Sequence, residues 1–247
     1  MKISIITVSF NSEKYIERCI NSVLDQDYED IEYIIIDGNS TDCTLKIINK
    51  YRNSISIIIS EPDSGLYEAM NKGINLATGN LIGILNSDDY FLNNQTITNI
   101  VVFHKFNNID ASIGNVLQCN SQNRVIRKYS SKLWRPNLLK FGFMPPHPSI
   151  FFKSDIYKNN KKYRTNLKIS ADYDLITRYF LINKINWKYS NITTTIMQSG
   201  GISSNGFKSY NKISQEIISI LKEYKISHIA LFIKSRFFWK IFQYILN

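Results

Sequence analysis

Across the first 90 residues, short runs of β-branched residues alternate with segments of helical spacing, and this alternation restricts the chain to few folds. Residues 3–10 form a short, mainly apolar run rich in β-branched residues, as in a strand buried on both faces of a parallel sheet, and Asn11 and Ser12 interrupt it. From Ser12, read as an N-cap, Ile16, Cys19, Ile20, Val23 and Leu24 keep helical spacing. The unit recurs: a strand at 31–36 ends at Asp37-Gly38, Asp42 opens a helix carrying Leu45, Ile47 and Ile48, and a third run covers 55–59. After the loop 61–65, a helix at 66–77 is broken at Gly79-Asn80, and 81–85 is another buried strand. Such alternation implies a parallel sheet with right-handed crossovers.

Farther on, the reading gives a helix at 94–106, a strand at 111–117, and a polar, basic stretch at 120–135 suited to a hairpin or exposed loop. The prolines of 143–149 impose irregular backbone. A strand at 150–153, a helix at 171–183, a strand at 185–197 and helices at 209–224 and 227–246 complete the pattern. With 247 residues, 44% of them hydrophobic, the chain can build one sizeable α/β core. The expected division is one domain over 1–225, with halves at 1–100 and 101–225, followed by an amphipathic helix at 226–247.

A net charge of +10 favours phosphate-bearing partners: nucleic acid, an anionic membrane or a diphosphate ligand. No nucleic-acid-binding signature or metal-finger spacing is present, so nucleic acid is not expected. Cys19, Cys43 and Cys119 are odd in number and unrelated in spacing, which argues against a disulfide framework and for the cytoplasm; the N-terminus reads as a strand, not a signal peptide.

In an open parallel sheet, ligands bind beyond the carboxyl ends of the strands, where Asp37, Asp63 and Asp88-Asp89 fall. Asp37 could accept hydrogen bonds from a base or ribose, or belong to an ordinary strand-end turn capped by Asp42. Adjacent carboxylates repel, and Asp88-Asp89 are either two solvated loop acids or a pair in which one binds a hard cation such as Mg²⁺ or Mn²⁺.

Four segments carry a joint pattern: Ser9-Phe10-Asn11, residues 35–42, residues 61–73, and Leu85-Asn86-Ser87-Asp88-Asp89-Tyr90. Together they resemble the inverting family 2 glycosyltransferases of GT-A fold, strongly over about the first hundred residues. The resemblance implies an α/β nucleotide-diphospho-sugar transferase fold with a mainly parallel central sheet and C-terminal helices. It implies that Thr7, Ser9, Asn11 and Asp37 line the nucleotide pocket, Asp37 near the uracil, and that Asp63, Asn71 and Lys72 border the donor. Asp88 corresponds to the ribose-contacting acid and Asp89 to the metal-bound acid, so both are metal-site candidates for Mn²⁺ or Mg²⁺. Asn86 stands where the family signature has its first acid, which weakens one contact.

Residues 145–152 resemble the family's acceptor-side segment and 169–175 the motif carrying the catalytic base, which implies Asp172 in that role. Asp174 reads as a solvated helix acid or a structural cap. His147 is an acceptor-side candidate or a packed loop residue, whereas His104 and His228 read as structural. Gly200 and Gly201, within 198–203, read as a lid over the acceptor or as a tight turn.

The stretch 227–247 is rich in Ile and Phe, with Arg236 and Lys240 on its polar side and Lys234 within the apolar arc. It reads as an interfacial helix at an anionic membrane or as a helix docked on the domain, not as a span. The expected reaction is hexose transfer from a UDP-sugar, galactose or glucose first, in β-linkage to a lipid-diphosphate-linked saccharide. The implied setting is bacterial O-antigen or lipopolysaccharide assembly at the inner face of the plasma membrane. Alternatives are a nucleotidyltransferase acting on a sugar phosphate, although Thr7-Val8-Ser9-Phe10-Asn11 lacks a glycine-rich basic loop, and a non-catalytic nucleotide-binding module.

Overall fold

The computed structural model describes residues 1–200 and 206–235. In chain order the strands are β1 (Ile3–Ser9), β2 (Ile31–Asp37), β3 (Ile57–Ser60), β4 (Leu81–Asn86), β5 (Tyr90–Phe91), β6 (Ala111–Cys119), β7 (Val125–Tyr129), β8 (Ile150–Lys153) and β9 (Trp187–Gln198). The helices are α1 (Ile16–Leu24), α2 (Thr44–Lys50), α3 (Leu66–Leu76), α4 (Thr96–Asn107), α5 (Ser154–Asn159), α6 (Ala171–Ile176) and α7 (Gly206–Glu223). One sheet runs in the order β3-β2-β1-β4-β8-β6-β9-β5, with β7 hydrogen-bonded to β6.

The expected parallel unit is present, with β2, β1 and β4 adjacent and β3 outside β2. Its register aligns the carboxyl ends: Ser9 lies opposite Asp37, Asp37 opposite Ser60, and Val8 opposite Asn86. Beyond β4 the sheet turns mixed, because β8 enters antiparallel between β4 and β6, while β6 and β9 pair in parallel.

Side-chain alternation splits the core into two layers. Ile6, Val8, Ile34, Ile36, Ile82 and Ile84 pack with Tyr67, Met70 and Ile74 of α3, whereas Ile3, Ile5, Tyr33, Ile35 and Leu85 pack with Cys19 and Ile20 of α1, Ile48 of α2 and Ile97 of α4. At Gly73 the contact between α3 and β1 is so close that a Cβ would fall 2.4 Å from Ile6 Cγ2.

Several boundaries differ from expectation. Ser12 does not cap α1: its hydroxyl donates to the Phe10 carbonyl (3.2 Å) and meets the Ser87 hydroxyl (2.8 Å), and the helix starts only at Ile16. The stretch after residue 119 does form a hairpin, β6–β7, but β5 and α5 are too short to leave a periodic signal. The helix expected at 171–183 changes from α to π winding at Thr177, where Arg178 is drawn onto Asp174 and the carbonyls of Lys161 and Lys162. Among the described residues, no helix is long and apolar enough to cross a membrane.

Candidate active site

The aligned strand ends bring most of the expected residues to one edge, in distinct roles. Asp37 is fully buried and saturated: Oδ1 accepts from the Ser9 and Ser40 hydroxyls (3.0 and 2.5 Å), Oδ2 from the Ser40 amide and the Ser60 hydroxyl (3.0 and 2.7 Å). Four donors occupy the acceptor sites of a carboxylate, so Asp37 holds the loop together, with Ser9 as one of its struts. Asn11, at φ 48°, is likewise a clamp, its amide donating to Ser40 Oγ and its Oδ1 accepting from the Thr41 amide, both at 2.9 Å. Alternation sends the fully buried side chain of Thr7 into the α1 layer, 3.1 Å from the Tyr33 hydroxyl.

The open part of this edge is built by Phe10, which lies inside the Ser9-Phe10-Asn11 segment of the sequence pattern. Phe10 is 63% exposed, and a Cβ on Gly38 would lie 3.5 Å from both a Phe10 ring carbon and Asp63 Oδ2. Asp63 Oδ1 pairs with Lys72, but Oδ2 is buried and accepts no hydrogen bond. A bare ring, a glycine and an orphaned buried acceptor thus converge. Lys72 is paired with Asp63, Glu61 (2.7 Å) and Glu68 (3.7 Å), and its bonds to Asp63 and then Glu61 hold its ammonium well above its ordinary pKa. The Asn71 side-chain amide bridges the Tyr163 backbone, donating to the carbonyl (2.8 Å) and accepting from the N–H (2.9 Å).

The acidic turn follows β4 directly. Asp89 is 2% exposed, and Asn86 Nδ2 donates to its Oδ2 at 3.3 Å. Burial, then the neighbouring Asp88, pushes its pKa well up, against the Asn86 side chain and the Gln198 amide. Asp88 is partly exposed and is also pushed up, chiefly by burial, with Arg18 opposing. Arg18, a residue without a sequence signal, stacks on Tyr90 with its guanidinium carbon 4.0 Å from the ring centre. Asn86 Oδ1 is buried without a hydrogen bond.

Two carboxylates destabilised by burial, beside an orphaned amide oxygen, suit a hard cation that shares its remaining positions with substrate phosphate and water. Among the described residues, no group of three or more His, Cys, Asp or Glu side chains is arranged to hold a metal ion by itself. Of the two carboxylates, that of Asp88 is the accessible one and that of Asp89 is enclosed.

Asp172 lies in the first turn of α6, partly exposed, its Oδ1 accepting from the Tyr173 amide at 2.7 Å. Burial is the main cause raising its pKa to about 6, with Glu216 adding to the effect and backbone donors opposing it. Asp174 points elsewhere and is fully buried, bound to Arg178 (2.8 Å), Arg164 (3.5 Å) and the Tyr224 hydroxyl (2.8 Å); it is structural, but not solvated. His147 contacts Tyr163 through Nε2 at 2.5 Å, and burial lowers its pKa to about 4. Tyr163 stacks on Tyr67, ring centres 5.7 Å apart, and Tyr67 donates to the Ile169 carbonyl, so α3 braces the segment leading to Asp172. Gly200 follows β9 at φ +120°; Gly201 and the rest of the expected lid lie outside the described residues. Two surface cavities of about 300 and 330 Å³, beside Trp187 and beside Arg178 and Tyr224, touch none of the expected ligand-contact residues.

Comparison with known proteins matches residues 4–184 to the family described as Glycosyl transferase family 2. A PGL/p-HBAD biosynthesis glycosyltransferase of Mycobacterium tuberculosis is 26% identical over 208 residues, 81% of this chain and 78% of that protein. The poly(ribitol-phosphate) beta-N-acetylglucosaminyltransferase TarS of Staphylococcus aureus is 35% identical over 108 residues, 42% of this chain and 19% of that protein. The crystal structure of TarS residues 1–349 in complex with UDP-GlcNAc superposes with a TM-score of 0.70 at 22% identity, over 90% of this chain and 66% of that one. A likeness at that identity shows a shared fold.

Proposed function

The chain belongs to glycosyl transferase family 2, and we propose that it transfers a hexose, galactose or glucose, from a UDP-sugar in β-linkage to a lipid-diphosphate-linked saccharide. The proposed setting is bacterial surface-polysaccharide assembly of the O-antigen type, on the cytoplasmic face of the membrane, with residues 1–225 as the catalytic domain. The observation that carries the reading is the convergence at one sheet edge of Phe10, Gly38 and the orphaned Asp63 Oδ2 with the Asn86–Asp89 turn. The ring offers a face for a base, Asp63 Oδ2 an acceptor for a base or ribose donor, and the acidic turn a place for the diphosphate and its cation.

Asp88, Asp89 and Asn86 Oδ1 would hold Mn²⁺ or Mg²⁺, which when bound offsets the charge that builds on the departing diphosphate. Asp172 takes the proton of the acceptor hydroxyl as that oxygen bonds to the anomeric carbon, while the carbon–oxygen bond to phosphate breaks on the opposite face and its electron pair leaves with UDP. A carboxylate with a pKa of about 6 is ionised at neutral pH yet basic enough for this step. His147 Nε2 is engaged by the Tyr163 hydroxyl, so an acceptor-side role for His147 would act through that pair. The net charge of +10 favours both the diphosphate and an anionic membrane surface.

The test is a panel of UDP-glucose, UDP-galactose, UDP-GlcNAc, GDP-mannose and dTDP-glucose with Mn²⁺. Release of nucleoside diphosphate and transfer to a synthetic lipid-diphosphate monosaccharide are scored. Transfer from a UDP-hexose, abolished by chelation, is expected. No turnover with any donor, together with no metal-dependent UDP binding, would overturn the reading.

A further inference from the structure

Glu216 lies in the middle of α7, 46 residues beyond the catalytic segment, and is 7% exposed. Its carboxylate accepts three consecutive backbone N–H groups of the segment that leads into α6: Lys168 at 3.1 Å on Oε1, and Ile169 at 3.1 Å and Ser170 at 3.0 Å on Oε2. Those amides precede the first turn of a six-residue helix whose N-terminal residues include Asp172, and Ser170 makes no capping bond of its own. Tyr67 of α3 takes the Ile169 carbonyl from the other side. The segment is thus held between a phenol from the donor half and a carboxylate from α7.

We propose that Glu216 is a positioning residue for the base: by binding the amides of 168–170 it fixes the start of α6 and with it the Asp172 carboxylate. The inference rests on the reading of Asp172 as the base. A short helix entered by an irregular loop has little to fix its first turn except such a clamp, and charge-assisted bonds to three amides are among the stronger local restraints. Misplacing a catalytic group by about 1 Å can cost about 100-fold in rate. Glu216 also has an electrostatic effect on the base. The groups facing Asp172 are Tyr67 of α3, Tyr163 of the preceding loop, the Tyr173 amide of its own helix and Glu216, which is the charged one among them and helps to hold the Asp172 pKa up. Lys212 faces Glu216 from the same helix at 3.7 Å.

Two variants separate position from charge. Glu216→Gln removes the charge and one of the two acceptor oxygens, whereas Glu216→Asp keeps the charge and withdraws it by one methylene. Transfer from the UDP-hexose that the donor panel selects is followed against pH in the full-length protein, with UDP binding in Mn²⁺ and circular dichroism alongside. Both variants should lose kcat by roughly 10- to 100-fold with UDP affinity unchanged. The acidic limb of the profile should move to lower pH in Glu216→Gln and stay in place in Glu216→Asp. A folded variant pair with the original kcat and limb, while Asp172→Asn is inactive, overturns this inference alone. So does a loss of thermal stability with kcat and limb unchanged. Full transfer by Asp172→Asn overturns the reading of the base, and the inference with it.

Discussion

At the scale of single residues, the site sets buried or half-buried charge against stability. Asp172 is raised by burial, so folding favours its protonated form. Its contribution is fully present below the unfolded carboxylate pKa, near 3.9, and is lost as pH rises through about 6. At pH 7.5, Asp172→Asn should therefore raise thermal stability, by about 1–2 kcal/mol after solvent screening, while lowering kcat by about 10²–10⁴-fold. Denaturation and transfer assays on one preparation check both signs. In the unsubstituted enzyme kcat should fall below a pH of about 6. Phe10 is the complementary case, exposed with little packing to lose. Phe10→Ala should weaken UDP binding by about 1–3 kcal/mol, measured by calorimetry, with the melting temperature nearly unchanged.

At the scale of elements, α3 joins the two sides of the site. Its first turn follows the loop holding Asp63, its inner face packs on β1, and Tyr67 and Asn71, one turn apart, grip the segments around Ile169 and Tyr163. Gly73 permits the close approach to β1. Alanine there would gain about 1 kcal/mol of helix propensity, but its Cβ would collide with the branched end of Ile6, and overpacking of this kind costs about 1–3 kcal/mol. Gly73→Ala should therefore lower the denaturation midpoint, and an Ile6→Ala background should shrink that loss. An unchanged midpoint would mean that α3 can shift off the sheet.

At the scale of the whole molecule, the beginning of the C-terminal helix combines two properties that the sequence posed as alternatives. Ile233 is fully buried, the Tyr210 hydroxyl donates to its carbonyl (3.1 Å), and Phe232 packs edge-on against Phe141, so this part is docked. Ile229 and Leu231 remain exposed, the latter at 75%, beside the exposed Lys225 and Lys234. The expected continuation through 236–247 lies outside the described residues. Our reading as a peripheral membrane enzyme predicts that the full chain floats with vesicles containing phosphatidylglycerol. It also predicts that removing 227–247 reduces flotation more than it reduces turnover on a soluble acceptor. Equal flotation of both forms would assign the helix to docking alone.

The parallel unit, the acidic turn after β4 and the family were legible in the sequence because each is local. A buried parallel strand needs a run of apolar residues, a crossover helix needs its periodic face, and adjacent acids are adjacent in any fold. What each carboxylate does was not local. Asp37 and Asp63 both stand near strand ends, yet Asp37 meets hydroxyls from three separate segments and is saturated, whereas Asp63 keeps a bare oxygen beside Gly38. Thr7 faces a helix layer because of strand parity, and Asn71 serves Tyr163, 92 residues away. Glu216 reaches the base segment from α7. The sequence by itself determined the parallel strand–helix unit and which chemistry collects at the sheet's edge. Tertiary packing alone decided which polar atoms there are spent on the fold and which stay free for a ligand, because satisfaction of a buried polar group depends on partners that only the folded chain brings within 3 Å or so.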